Sequence, residues 1–383
     1  MICYVCQRDT TAVYTSPGAS ITTLCKTHPS PTQVFFCSHC EHVQTQEIPD
    51  IDVYYADEYN ILSQSEEEDQ IYAVEGERKI FRFDHQAAVL QQKIELETKR
   101  KVLDYGCAKS STWRIAKRNH DHLDLHLFDV SNNYVHFWSN LVTDSEKWAT
   151  FELPLNWGQR FDLVTSFYAF EHISSLELAM KNVFRVLKEE GLLYILVPNF
   201  LINRADFIVA DHVNHFTESS LRYLFNTTGF EVVELDTVSH YGGIIVVGRR
   251  LAQPAASPPD LLLKPNLELR EQITLIAEYW NTLKNKLLLF EQNHRSKAAV
   301  IYGSGFYGSY IANSLQHLDQ VLCFLDQNPY RQTDKLLGKS ILSPTAIPNE
   351  VEIVYVGLNP EIARQAIESM PLWKEKKVEF CYL

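Results

Sequence analysis

Two Cys-x-x-Cys pairs, Cys3 with Cys6 and Cys37 with Cys40, constrain the start of this chain more than any other feature. One pair is weak evidence. Two pairs about thirty residues apart supply the four thiolates of a tetrahedral zinc site. A knuckle this short cannot build a core of its own, and a metal would staple it. With sulfur in every position there is no open place for a catalytic water, so the zinc is expected to be structural. Cys25 and His28, in the intervening loop, are alternative ligands whose spacing fits less well. A redox Cys-x-x-Cys calls for a βαβ context that is missing here. Disulfides are the plainer alternative. The opening Met-Ile-Cys-Tyr-Val-Cys lacks the basic stretch of a secretory signal, so the expectation is a reduced, cytoplasmic compartment. Cys107, Cys323 and Cys381 are scattered single thiols that fit such a setting.

The 383 residues predict two or three domains. A hydrophobic content of 45% with 22% charged residues is that of a globular protein. The formal net charge of -13 argues against nucleic acid as a partner. No apolar run reaches the ~20 residues that span a bilayer, so no membrane partner is expected. The protein is expected to be a monomer or a small homo-oligomer.

Residues 1–48 read as short strands and turns around the cysteines, and 49–75 as an acidic, Tyr-rich stretch. Arg78 to Gln92 carries a helical pattern. From Lys101 strands and helices alternate: strands at Val102–Tyr105, Leu123–Phe128, Phe161–Ser166 and Leu192–Val197, and helices at Ala179–Leu187 and Ser219–Phe225. Val232–Leu235 and Ile244–Val247 read as a closing strand pair. The pattern predicts a mostly parallel sheet with one antiparallel edge. A Pro-rich stretch from Gln253 to Pro259 marks a linker. A long helix follows near Leu267–Glu291, then a second αβ unit from Lys297. The expected division is 1–75 zinc-binding module, 76–252 core, and 253–383 C-terminal helix with a second nucleotide-type domain.

The segment Arg100 to Ser111 is a strand ending at Asp104, then a tight turn at Gly106. In the S-adenosylmethionine methyltransferase fold this loop passes under the methionine half of the cofactor, and glycine permits close approach. Ala108 and Ser110 stand where that pattern often has glycines. Asp129 ends the next strand, where an acid can accept both ribose hydroxyls; as a plain structural element it would cap a helix. Phe161 to Ser166 runs into Phe-Tyr-Ala-Phe-Glu-His-Ile173. Glu171-His172 there reads as a cofactor-pocket element first and a base second. A sharper constellation is Val209-Ala-Asp-His-Val-Asn-His-Phe216, which brings Asp211, His212 and His215 onto a loop after a strand end. A histidine beside an acid can serve as a general base near neutral pH; capping or core histidines are the alternative.

These residues together resemble the three-domain sugar C-methyltransferases of deoxysugar biosynthesis, over nearly the whole chain. The likeness lies in the four cysteines and the following Glu58-Tyr-Asn-Ile-Leu-Ser63, the Asp104–Ser110 loop, and Asp211-His212. It continues in His240-Tyr-Gly-Gly243, Asp326-Gln-Asn-Pro-Tyr-Arg-Gln332 and Leu358-Asn-Pro-Glu-Ile362. The resemblance implies an α/β chain: a zinc-binding N-terminal module, a Rossmann-like class I methyltransferase core, and a second Rossmann-like C-terminal domain. It implies S-adenosylmethionine and structural Zn²⁺ as cofactors and a nucleotide-linked keto sugar as substrate, methylated on carbon through an enolate. Its base motif Tyr-x-Glu-His falls on Val209, Asp211 and His212, so His212 is the base candidate, Asp211 takes the place of the acid, and the tyrosine is missing. Tyr168, Tyr241 or His215 are candidates to substitute for it. Tyr59, Asp104, Gly106, Asp129, Phe167 and His172 are the implied cofactor contacts, and Tyr168, Tyr241 and Tyr307 the implied substrate contacts. The missing tyrosine raises a sugar O-methyltransferase as an alternative.

Gly303, Gly305 and Gly308 have Gly-x-Gly-x-x-Gly spacing between a strand and a helix, with Asp326 ending the next strand. By itself this reads as a dinucleotide fingerprint, so an NAD-dependent oxidoreductase is a further alternative. The domain is short and no catalytic domain follows it, which favours a structural and substrate-binding role.

Overall fold

Seven strands between residues 101 and 250 carry the core, and in a computed structural model of the chain they form one sheet. The structure describes residues 1–49, 51–55, 59–76, 78–253, 266–332, 334–374 and 376–383. Glu58 and all but the first residue of the Pro-rich stretch lie outside them. In space the strands run Trp148–Thr150, Asp124–Asp129, Lys101–Tyr105, Phe161–Phe167, Leu187–Pro198, Gly243–Arg250, Phe230–Asp236. In chain order that is third, second, first, fourth, fifth, seventh, sixth. The first five pair in parallel.

Each central strand is apolar on both faces because helices cover both. Alternate residues go to opposite sides: Leu103, Val164 and Leu193 pack with the helices Leu176–Val186 and Glu218–Thr227, while Val102, Leu163 and Tyr194 pack with Arg82–Lys93 and Ser111–Ala116. A buried chain of hydrogen bonds ties the sheet to the loop above it. Trp113 Nε1 donates to Thr165 Oγ1 at 2.7 Å, Thr165 to Asp104 Oδ1 at 3.0 Å, and Ser110 Oγ to Asp104 Oδ2 at 2.6 Å.

Three local expectations change. The antiparallel strand, Gly243–Arg250, is not an edge; it lies between Leu187–Pro198 and Phe230–Asp236. Residues 78–81 are a strand rather than the start of a helix: Arg78–Phe81 pairs with Ile71–Glu75 across a turn at Gly76 (φ 61°), and the helix begins at Arg82. Left-handed backbone is inexpensive only at glycine, so Gly76 favours the hairpin over helix continuation. Trp148–Thr150 is an edge strand too short to stand out as a pattern.

The N-terminal hairpin pairs Gln33–Phe36 with Val43–Thr45, and Cys37 to Cys40 form its tip. Its second strand also pairs with Asn214–His215. Two compact units result: residues 1–12, 34–200 and 211–267, and residues 13–33, 201–210 and 268–383. This differs from a division at 75/76 and 252/253. The cysteine module has too little apolar surface to stand alone, and it shares its sheet with the loop at 214–215.

In the second unit, five strands run parallel, in the order Lys339–Leu342, Val321–Leu325, Ala299–Tyr302, Ile353–Val356, Glu379–Tyr382, with Lys335–Leu336 antiparallel at the edge. The helix Leu267–Asn293 buries Leu269, Ile273, Ile276, Trp280, Leu283 and Leu287, a three-and-four spacing. Glu291, buried near its end, accepts from the backbone N–H of Gln316 and His317 at 3.0 and 2.8 Å. Ser309 Oγ donates to the Cys25 carbonyl at 3.0 Å, and Thr32 Oγ1 to that of Ile208 at 3.2 Å, so residues 13–33 are knit into this unit. No described helix is long and apolar enough to cross a membrane.

Thr165→Val removes both the donor to Asp104 and the acceptor for Trp113 at fully buried positions. The expected cost is about 2 kcal/mol in urea unfolding, from polar groups left unpaired in the core. A change under about 0.5 kcal/mol contradicts a role for this chain in stability.

Candidate functional site

The sheet's carboxyl end gathers part of the candidate residues, as expected where parallel strands release their loops. After Lys101–Tyr105 the chain turns at Gly106 (φ 69°), where an added Cβ would stand 2.6 Å from Ala169 Cβ. Ala108 and Ser110, in the positions often held by glycine, adopt φ of 43° and 55°. The left-handed turns persist without glycine because partners hold them. Ala108 N–H donates to Asp129 Oδ2 at 2.8 Å, Trp138 Nε1 to the Ala108 carbonyl at 2.7 Å, and Ser110 to Asp104.

Asp104 therefore supports the loop from beneath, its carboxylate occupied by Ser110 and Thr165. Burial pushes its pKa up to about 7, against those two hydrogen bonds. Asp129 is also buried, and burial raises it to about 6 although the N–H groups of Ala108 and Ser131 bond its oxygens. Its bond from Ser131 makes an Asx-type turn and not the helix cap of the alternative reading, and it still has lone pairs for ribose hydroxyls. Phe167 is half-buried against Tyr194, ring centroids 5.5 Å apart.

Residues 59–68 are tied to this end of the sheet at three points. Asn133 Nδ2 donates to the Tyr59 carbonyl at 3.3 Å, Ile61 N–H to Tyr134 Oη at 2.9 Å, and Lys109 Nζ to the Ser65 and Glu68 carbonyls at 2.6 and 2.9 Å. Tyr59 thereby packs edge-on to His172 at 5.5 Å, beside Tyr54 and Tyr55.

His172 closes the short 3₁₀ turn Phe170–His172. Its Nδ1 lies 2.9 Å from both the Asp211 carbonyl and the Tyr55 hydroxyl. A carbonyl only accepts, so the ring proton sits on Nδ1 and Nε2 keeps its lone pair. The Asp211 carboxylate accepts from Tyr54 Oη at 3.2 Å and lies 3.9 Å from His172 Nδ1. His212 meets His172 edge-on at 4.7 Å and is partly exposed. The donor atoms of Glu171, His172 and His212 all fall within 4.8 Å of one another. A buried carboxylate with two imidazoles can move a proton, and a divalent ion could use the same donors. Glu171, read in the sequence as a pocket element, is thus the acid grouped with His212. Tyr54 and Tyr55 escaped sequence reading because only the fold brings them here. His215 is not in this group. It is fully buried in the strand at 214–215, with Thr45 Oγ1 2.7 Å from its Nε2.

The substrate candidates separate. Tyr168 stands at the strand end with its hydroxyl 2.9 Å from His240 Nε2. Tyr241 is half-exposed, and its backbone N–H bonds the Tyr72 hydroxyl at 2.7 Å. Tyr307 packs inside the second unit: it stacks on Trp280, donates to Asn203 Oδ1 at 3.1 Å and accepts from Ala205 N–H at 3.0 Å. Asp326 is likewise engaged, accepting from Ser304 N–H and Oγ at 2.9 and 2.6 Å and from Asn328 N–H at 2.8 Å.

The four cysteine sulfurs lie within 4.8 Å of one another, with Cys3 to Cys40 at 3.5 Å and Cys6 to Cys37 at 3.4 Å. Tetrahedral Zn–S bonds of about 2.3 Å require sulfurs near 3.8 Å apart, so the quartet fits such an ion. Cys25 and His28 are outside it. Tyr223, on the helix Glu218–Thr227, packs against the quartet.

Residues 77–235 match the family model described as a methyltransferase domain. The chain is 34% identical over 104 residues to the C-methyltransferase NovU of Streptomyces niveus. That stretch is 26% of this chain and 24% of the relative, so the chain spans about a quarter of the length of the curated relative it matches. Among solved structures it is similar to an S-adenosylmethionine dependent methyltransferase of Mesorhizobium loti, at 14% identity and TM-score 0.36, covering 44% of this chain and 100% of that one. One from Archaeoglobus fulgidus gives 13% and 0.37, covering 44% and 95%. Human N-acetylserotonin methyltransferase gives 10% and 0.36, covering 44% and 52%. The middle of the chain is a class I S-adenosylmethionine-dependent methyltransferase domain, in keeping with the matched model and its strand order.

An ionised Asp129 accepts ribose hydroxyls better than a protonated one. With its pKa near 6, S-adenosylhomocysteine affinity should be full at pH 8 and fall as pH drops through 6, by ~tenfold at pH 5. Calorimetry on wild type and Asp129→Asn checks this: the step near pH 6 should vanish in the variant. An unchanged step assigns the titration elsewhere.

Proposed function

We propose that this protein is an S-adenosylmethionine-dependent methyltransferase that adds a methyl branch to carbon on a nucleotide-linked keto sugar, with His212 as the base. The observation that carries the reading is the grouping of Glu171, His172 and His212 at the sheet's ligand-binding end, where Ala169 abuts Gly106 of the cofactor loop. The local likeness to a C-methyltransferase agrees with it.

S-adenosylmethionine, when bound, supplies an electrophilic methyl on sulfur. Gly106 permits its close approach, and Asp129 takes its ribose. His212 removes a proton from the carbon next to the ketone. The released electron pair delocalises onto the ketone oxygen, and the carbon then takes the methyl as the C–S bond breaks. His172, its Nδ1 proton held by the Asp211 carbonyl, fixes the ring against which His212 packs. Asp211 acts one step back, through Tyr54 and His172. Val209, in place of a tyrosine, is buried, so the donor to the ketone oxygen must come from another residue. Zinc in the cysteine quartet is structural in this reading and takes no part in the chemistry.

His212→Asn should bind S-adenosylhomocysteine like wild type and lose methyl transfer by ~10²-fold or more. Solvent deuterium exchange at the acceptor carbon should fall in parallel. Exchange that proceeds unchanged without His212 removes it as the base. Cys37→Ser with Cys40→Ser should abolish zinc in metal analysis and depress methyl transfer, because the hairpin tip loosens and Asn214–His215 lose their strand partner. A zinc-free variant with full activity contradicts this support.

A further inference from the structure

A cavity of about 240 Å³ lies within the second unit, and every described residue that lines it belongs to that unit. One wall is helical: Tyr310, Asn313 and Ser314 share a face of the helix Phe306–Ser314, and Lys284 comes from the helix Leu267–Asn293. The other wall is chain from residues 13–33, with Tyr14 on the strand Thr11–Thr15 and Ser20 on the strand Ser20–Ile21. Ser16 N–H donates to the Thr32 carbonyl and Thr32 N–H to Ser16 Oγ, both at 2.9 Å. Ala210 N–H donates to the Ile21 carbonyl at 2.9 Å, and Ser309 Oγ ties this chain to the helix through Cys25. The walls are thus fixed by the protein's own bonds.

The polar groups of the lining divide into two sets. Ser16 Oγ donates to the Gly18 carbonyl at 2.8 Å, Thr32 Oγ1 to that of Ile208 at 3.2 Å and Ser314 Oγ to that of Tyr310 at 2.7 Å, so these are spent inside the walls. Lys284 Nζ, Tyr14 Oη and Ser20 Oγ have no hydrogen-bond or ion-pair partner among the described residues. For Lys284 the reason is legible in the sequence: the helical positions three and four away are Trp280, Asn281, Leu287 and Leu288, with no acid among them. Ser20 is 4% exposed, so its unpaired hydroxyl is a standing cost that a ligand would relieve. Burial pushes the phenols of Tyr14 and Tyr310 up, the latter to about 12, so both keep their protons. No carboxylate stands among the described lining residues, although the chain carries a net charge of -13. A half-buried cation with hydroxyl donors and no acid beside it favours an anion.

We propose that this cavity binds a small phosphate monoester of sugar size. The three terminal oxygens of such a phosphate match the three uncommitted donors of Lys284, Tyr14 and Ser20, where a carboxylate has only two oxygens to offer. The rings of Tyr14 and Tyr310, with Ile21 and Ile208, supply the apolar part of the lining for the body of the ester. At about 240 Å³ the cavity is smaller than the ~300 Å³ at which pockets for drug-sized ligands begin, so a nucleotide-linked sugar is too large for it. The site does not depend on the methyl-transfer reading.

Calorimetric titration of the full-length protein with inorganic phosphate and with glucose 1-phosphate tests this, with free glucose as the uncharged control. Glucose 1-phosphate should bind with a Kd on the order of 1 mM or tighter, phosphate more weakly and in competition with it, and glucose ~tenfold or more weaker than its phosphate. Lys284→Met keeps most of the stem and removes the charge; it should weaken glucose 1-phosphate by ~tenfold or more, and Tyr14→Phe by ~threefold or more. Unchanged S-adenosylhomocysteine affinity shows that both variants are folded. His212→Asn should bind glucose 1-phosphate like wild type; a loss there assigns the binding to the methyl-transfer site and overturns the inference. So does the absence of binding by either phosphate at ~10 mM, glucose that binds as well as its phosphate, or a Lys284→Met protein that binds like wild type.

Discussion

The pairing of Asn214–His215 with Val43–Thr45 is the contact on which the candidate site depends. From Ala210 to Val213 the chain, which carries Asp211 and His212, is neither helix nor strand, and a two-residue strand cannot hold itself. It is held by hydrogen bonds from distant chain: His42 Nε2 to Asn214 Oδ1 at 3.1 Å, and Thr45 to His215 at 2.7 Å. Asn214 also donates to the carbonyls of Phe170 and Ile173 at 2.9 and 2.7 Å, joining the loop to the turn that presents Glu171 and His172. The hairpin that supplies Val43–Thr45 is itself closed at its tip by Cys37 and Cys40. The cysteine quartet is thus linked to the turn that presents Glu171 and His172 through two strand pairings and one asparagine.

The cofactor side is organised differently, around two buried carboxylates that are costly to ionise. Asp104 and Asp129 are both raised by burial, and both spend hydrogen-bonding capacity on the loop between residues 106 and 110. That expenditure explains how Ala108 and Ser110 remain in left-handed backbone without being glycine. In the proposed reading, a bound ribose would offset part of the ionisation cost of Asp129 and so couple cofactor affinity to pH.

Much of the core was legible in the sequence because its signals are local. Continuous apolar runs marked the central strands, and Asp104, Gly106 and Asp129 fell at strand ends by counting. The four sulfurs meet as their spacing implied. What stayed hidden depends on residues far apart in the chain. Nothing local to His215 says that Thr45 bonds it, so it read as a site histidine and is a buried strand residue. Tyr307 carried an aromatic's ambiguity that Trp280, Asn203 and Ala205 resolve by packing. Tyr54 and Tyr55 had no motif to mark them. Residues 13–33 lie between the two cysteine pairs yet belong with the C-terminal unit, a grouping that composition does not encode.

The central claim is that the methyl goes to carbon through an enolate formed by the His212 group. The most direct measurement is the carbon NMR spectrum of the product made from S-adenosylmethionine labelled with ¹³C in the methyl group. The account predicts a labelled methyl bonded to carbon, coupled to a neighbouring sugar carbon in doubly labelled material. A labelled methyl in the methoxy region, bonded to oxygen, would contradict it and make the protein a sugar O-methyltransferase.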